Sequence, residues 1–171
     1  MANPDTLREL QARLATQLEA AQTQDRGQAW LAVECGPAGL LLPLNEAGEI
    51  FPSRASVAVP HTRPWFLGVA NLRGQLHGVV DLGRFLGLPS GAPADGGWLV
   101  ALNPRLEANV ALRVDRLAGL RRAEHLTALE APLAPRPGFA GTRFVDAAGR
   151  PWQEIVLAEL ALDPHFLAIN A

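Results

Sequence analysis

Residues 65–87, WFLGVANLRGQLHGVVDLGRFLG, constrain the fold of this chain more than any other segment. Two apolar runs, residues 65–71 and 76–82, flank an Arg73-Gly74 step, and Asp81-Leu82 opens a new element. Gly is the least costly residue where φ must be positive, so Gly74 is expected at a tight turn between two strands. Asn71 can bond neighbouring backbone across that turn. Arg73, with five donors on a planar group, can tie carbonyls or a carboxylate there or meet a partner. Asp81 stands where an N-capping carboxylate is useful, ahead of a helical turn predicted over residues 83–88.

Short runs of this kind recur. Strand-like segments are read at residues 29–34, 39–44, 46–51, 57–59, 98–102, 109–114, 117–122, 142–146 and 153–157. The Gly and Pro counts, 16 and 14, place turns between them and argue against a long helix bundle. Residues 89–97, PSGAPADGG, form the clearest loop, and residues 132–137, PLAPRP, a rigid one. A short helix is expected over residues 157–162, broken by Asp163-Pro164. The pattern predicts an all-β barrel or sandwich, and 171 residues suffice for one domain or two small fused barrels. A faint internal echo supports duplication: Gly74 leads to Val79-x-x-Leu82, and Gly149 leads to Glu154-x-x-Leu157.

Only the N-terminus departs from this pattern. Residues 4–22 read as an amphipathic helix, with Asn3 as cap and Pro4 in the first position. Leu7, Leu10, Leu14 and Leu18 form one stripe. The stripe is expected to dock on the chain's own domain, with a partner protein as the second choice. Residues 22–28 are polar and read as a linker. The organisation expected is residues 1–28 as helix and linker and residues 29–169 as the folded domain.

The bulk numbers exclude several functions. A net charge of −2 builds no broad field for nucleic acid or an anionic membrane. All 15 basic residues are Arg, which genome composition or a use for planar contacts would both produce. Cys35 is the sole cysteine, so an internal disulfide and a Cys-rich metal site are excluded. It is expected to be a small core residue. No signal peptide or membrane span is read, and a cytoplasmic protein is expected.

Four histidines, His61, His77, His125 and His165, are widely spaced and show no metal-ligand pattern. No nucleophile elbow, phosphate loop or dinucleotide fingerprint occurs. His77 and Asp81 would lie on one strand face about 13 Å apart, too far to bond. No catalytic residue, metal or cofactor is therefore expected. A small-ligand sensor barrel, with Trp30, Trp65, Trp98 and Trp152 lining a pocket, is the alternative to a protein-binding module.

The central segment resembles the CheW-like family, the adaptor modules of bacterial chemosensory arrays. The family pattern runs roughly G-V-x-N-x-R-G-x-x-x-P-V-x-D-L. Here it is carried by Gly68, Val69, Asn71, Arg73, Gly74, Val79, Asp81 and Leu82. The resemblance extends over residues 29–169. AWLAVECGPAGLLLPLNEAGEIF is similar to the family's opening hairpin and its Val-x-Glu-Ile element, here Ala47, Gly48, Glu49 and Ile50. VALRVDRLAGL is similar to the strand centred on Val-Asp, here Val114-Asp115. Trp65, the leading helix and the ending Asp163-Pro164-His165-Phe166-Leu167 resemble the branch of the family that serves type IV pili and twitching.

The resemblance implies two interleaved five-stranded SH3-like β-barrels with no chemistry of their own. It implies an adaptor that couples the cytoplasmic tip of a methyl-accepting chemoreceptor to the regulatory domain of a CheA-type histidine kinase at membrane-associated arrays. Ala47, Glu49, Ile50 and Arg73 would be partner-binding, and Asn71, Gly74, Asp81 and Leu82 would carry the motif structurally. For Glu49 and Ile50 the residues alone also allow a solvated charge and a core side chain. Two departures stand out. His77-Gly78 replaces the family's Pro, freeing the backbone there, and Ala47 replaces the Val, removing apolar area.

Overall fold

The computed structural model describes residues 4–25, 27–89 and 96–171, with side chains described for residues 6–16, 27–89 and 96–171. A helix, α1 (Pro4–Asp25), precedes eleven strands. These are β1 (Ala29–Cys35), β2 (Ala38–Pro43), β3 (Ala47–Pro52), β4 (Phe66–Leu72), β5 (Gln75–Asp81), β6 (Trp98–Leu102), β7 (Val110–Val114), β8 (Arg116–Arg122), β9 (Leu126–Leu129), β10 (Ala140–Asp146) and β11 (Pro151–Ile155). Short helices follow β5 and β11: α2 (Leu82–Phe85), then α3 (Leu157–Leu160) and α4 (Pro164–Leu167). The helical turns expected near residues 83–88 and 157–162 are α2 and α3. The segment after Asp163 folds as α4, because Asp163 caps it and Pro164 suits its first position.

Two sheets result, ordered β8-β1-β2-β11-β10-β9 and β3-β6-β7-β5-β4. Each closes on itself by the same device. β8 and β9 lie at opposite ends of the first sheet yet are joined only by a 3-10 turn, Ala123–His125. One bent segment thus serves both ends, forming barrel A. In the second sheet, barrel B, the chain leaving β3 crosses to the other end. There Val57 exchanges backbone bonds of 2.8 and 2.9 Å with Val69 of β4. Gly68 permits that crossing: its φ is 128°, and a Cβ would sit 2.1 Å from the Val57 carbonyl oxygen.

Barrel B has the expected five strands, whereas barrel A has six. The sixth arises because the closing strand bends into β8 and β9. The two barrels interleave along the chain by insertion. Barrel B is built from consecutive strands and is inserted between β2 and β8 of barrel A.

Strands between the barrels are buried on both faces, which explains their continuous apolar runs. Along β1, Leu31, Val33 and Cys35 point to the shared core, while Trp30 and Ala32 fill barrel A. Along β6, Val100 and Leu102 join the shared core, while Leu99 and Ala101 fill barrel B. A one-residue slip would exchange the two sets, so register is strongly fixed. Leu82, Phe85, Leu157, Leu160 and Phe166 from the short helices complete the shared core.

The leucine stripe of α1 does not dock as expected. Leu7, Leu10 and Leu14 are 54%, 58% and 50% exposed, and the Leu18 side chain lies outside the described residues. The core clusters are complete without them.

Candidate functional site

β4 and β5 pair down to Leu72 opposite Gln75, leaving Arg73 and Gly74 as a two-residue loop. Both have positive φ, 51° and 79°, as the type I′ turn favoured in hairpins requires. Asn71 Oδ1 accepts from the Gly74 N–H at 2.8 Å. A Cβ on Gly74 would meet nothing within 4 Å, so the glycine is there for its backbone and not for space.

β3 is an outer strand of its sheet. It pairs with β6 through Ala47 opposite Leu102 and Ile50 opposite Val100, with a register shift between them. Ala47 is half-buried against the shared core, and Ile50 remains 37% exposed. Trp98, opposite Pro52 and equally exposed, lies diagonal to Ile50 on the adjoining strand. Closure of the barrel then brings β3 to the β4–β5 turn. Arg73 Nη2 lies 2.7 Å from Glu49 Oε1. Two separate sequence segments, residues 47–50 of β3 and the Arg73 turn, are thus joined on barrel B through Glu49 and Arg73.

Arg73 ties a carboxylate, as its donors allow, but in the open: its side chain is 76% exposed and that of Glu49 43%. Water screens such a pair, so it holds the two elements with about 0–1 kcal/mol. Loss of Arg73 therefore carries no buried-acceptor penalty.

Asp81 caps α2, accepting from the Arg84 N–H at 3.0 Å, and Leu82 is fully buried beneath it. Sequence reasoning missed what else Asp81 does. It stands opposite Arg113 of the parallel strand β7. Arg113 Nη1 lies 3.4 Å from Asp81 Oδ2 and 3.2 Å from Asp115 Oδ1, and Nη2 donates to the Gly96 carbonyl at 2.9 Å. Asp115 Oδ2 in turn accepts the Gly36 N–H of the β1–β2 turn at 2.6 Å. This buried chain of charge runs from barrel B to barrel A. An arginine inside the otherwise apolar run Val110–Val114 was its available signal.

Cys35 lies beside this network. Burial, followed by the charges of Asp115 and Asp81, pushes its thiol up to about 12. A thiol so held is a core residue, not a nucleophile. Burial likewise raises Glu154, with Glu46 adding repulsion and Trp30 opposing it. The tryptophans do not share one pocket, although Trp152 borders a groove on barrel A. Trp30 and Trp152 fill barrel A with Phe144, Trp65 packs on Phe85 and Phe166, and Trp98 is on the surface. Among the described residues no group of His, Cys, Asp and Glu could hold a metal ion, and no helix is long and apolar enough to cross a membrane.

Three comparisons bear on this geometry. The family model of the CheW-like domain matches residues 29–156. Protein PilI of Pseudomonas aeruginosa is 30% identical over 129 residues, covering 72% of each chain. The crystal structure of the scaffolding protein TtCheW from Thermoanaerobacter tengcongensis superposes with a TM-score of 0.64, covering 75% of this chain and 88% of that one. Its sequence identity is 14%, so that likeness shows the fold alone.

Proposed function

The chain belongs to the CheW-like family, and on that premise we propose that it is a non-enzymatic adaptor coupling a methyl-accepting chemoreceptor to a CheA-type histidine kinase. The adaptor domain is residues 29–169, carried behind the helix and linker of residues 1–28. It works in the cytoplasm at membrane-associated receptor arrays. The likeness to PilI supports placing it in a system that governs type IV pili and twitching motility.

The observation that carries the reading is the meeting of Glu49, next to Ile50 on β3, with Arg73 on barrel B. An apolar residue beside exposed charges, on an outer strand, suits a small transient interface. Ile50 is the anchor. Glu49 and Arg73 set which partner charges are accepted. The kinase would meet this edge with its own CheW-like regulatory domain, barrel against barrel. No reaction is needed for this role, because holding both partners brings them to a high effective concentration.

Pull-down on the immobilised kinase regulatory domain and on the receptor tip tests the assignment. Glu49→Arg should melt within about 0.5 kcal/mol of wild type, as an exposed change does, yet bind weakly. The swap Glu49→Arg with Arg73→Glu restores an internal ion pair with inverted polarity and should remain defective. If Glu49→Arg folds normally and holds both partners at wild-type affinity, this edge is not the adaptor site.

A further inference from the structure

We propose that a second site, on barrel A, binds a small amphipathic carboxylate: an apolar body ending in a single anionic group. A groove of about 580 Å³ opens between the β1–β2 turn, the end of α2, β11 and α4. That volume falls in the range of sites that engulf a small ligand. Its apolar wall is formed by Phe85, Leu86, Leu88 and Phe139, and its rim carries Arg143 and Arg150.

The charges at the rim are unequally committed. Arg150 lies 4.5 Å from the centre of a Trp152 ring and is bound to Glu34 at 2.8 Å, so its position is fixed. Asp163, the one carboxylate lining the groove among the described residues, is used in capping α4, where it accepts from the His165 and Phe166 N–H groups. The Arg143 side chain makes no ion pair or hydrogen bond among the described residues, its backbone alone being paired in the sheet. The groove thus presents an apolar surface ending at an uncommitted guanidinium, a group whose fork matches a carboxylate.

The same geometry argues against an extended peptide as occupant. Peptides commonly join a sheet at a free edge. The strands facing this groove, β2, β11 and β10, are interior ones flanked by β1 and β9. The walls are otherwise a hairpin turn and helix ends, which leave no ladder to extend. The site is also separate from Glu49, Ile50 and Arg73, which belong to barrel B, so the adaptor would carry its ligand without blocking that edge.

Dodecanoate, kept below its micelle concentration, is the probe. Titration of the full chain by calorimetry, and by the part of its tryptophan fluorescence that Trp152→Phe removes, should show saturable one-to-one binding. Arg143→Gln, an exposed change, should leave the melting temperature unaltered and weaken binding by about tenfold, while dodecyltrimethylammonium should not compete. Absence of saturable binding would overturn the proposal, as would equal affinity in Arg143→Gln or equal competition by the cationic amphiphile. Light scattering at the same concentrations covers the remaining occupant. A dimer that Arg143→Gln dissociates, with no dodecanoate bound, would assign the groove to a second copy of the chain and refute the ligand site.

Discussion

The β4–β5 hairpin runs into α2 much as the β10–β11 hairpin runs into α3, yet the two are secured differently. Both turns carry a glycine at almost the same φ, 79° at Gly74 and 80° at Gly149. In both, the second strand lies parallel to a neighbour, β5 on β7 and β11 on β2. In both, an arginine beside the turn meets a glutamate from another strand: Arg73 with Glu49 at 2.7 Å, and Arg150 with Glu34 at 2.8 Å. The side chains of the first pair are 76% and 43% exposed, those of the second 37% and 22%. The helix caps differ as well. α2 is capped by Asp81, next to it in sequence, whereas Val156 at the start of α3 has no capping side chain. Glu46 supplies that cap from the β2–β3 turn, accepting from Leu157 and Ala158 at 2.8 and 3.2 Å. One supersecondary unit thus takes two forms: in barrel A its ion pair is sheltered, and in barrel B the same pair stands at the surface.

The widest gap between the halves should open at Arg113, which only the Asp81 side possesses. Arg113→Leu leaves Asp81 with only the half-exposed Arg84 at 3.7 Å and removes the ion pair of Asp115, and urea unfolding should register a loss of about 3–5 kcal/mol. A loss below about 1 kcal/mol would mean that the network does not hold the barrels together. The caps come next. Glu46→Ala should cost about 1 kcal/mol and speed hydrogen exchange at the Leu157 amide. Asp81→Ala should cost more, because it also removes a partner of Arg113. The ion pairs then rank by shelter. Glu34→Gln should destabilise measurably, while Glu49→Gln should fall below about 0.5 kcal/mol.

The pH response should separate the halves further. Where barrel B has Val79, barrel A has Glu154, raised by burial. Its protonated form favours the fold, so that contribution is complete below the ordinary value of 4.5 and is lost as pH rises through the folded value. Asp146, in the adjoining β10–β11 turn, is lowered, first by the Trp152 indole N–H and then by the Arg150 amide. Its contribution is present above 3.8 and fades as pH falls through the folded value. Melting curves across this range should flatten on the alkaline side in Glu154→Gln and on the acid side in Asp146→Asn. Deleting residues 1–24 should have the smallest effect and leave a cooperative melt, since the leucine stripe of α1 is exposed.

These contrasts also mark what could be read from the residues. The Arg73-Gly74 turn and the Asp81 cap are local events, decided within a few residues, and both were legible. The pairing of Glu49 with Arg73 depends on barrel closure, which no local pattern encodes. The Arg113 network has the same character: Gly36, Asp81, Gly96 and Asp115 come from four separate segments. β9 was missed because Leu126–Leu129 is short and mostly exposed, lacking the burial that patterns a strand. The stripe on α1 was read correctly as a stripe. What it faces is a tertiary fact, and an unpacked helix shows the same periodicity as a packed one.

The insertion of barrel B into barrel A dictates an order of assembly. As the chain is synthesised, β1 and β2 emerge first, with apolar side chains on both faces and only each other to pair with. Barrel B, all of whose strands are consecutive, can close before β8 has left the ribosome. β2 must wait for β11 to pair Leu40 with Gln153 and Leu41 with Glu154, across most of the chain. Contacts of such long sequence separation form late and slowly. The early hairpin is therefore the segment most open to wrong association during folding. A chain arrested after residue 115, before β8, would leave both edges of that hairpin unpaired, while already carrying the complete edge that holds Glu49, Ile50 and Arg73.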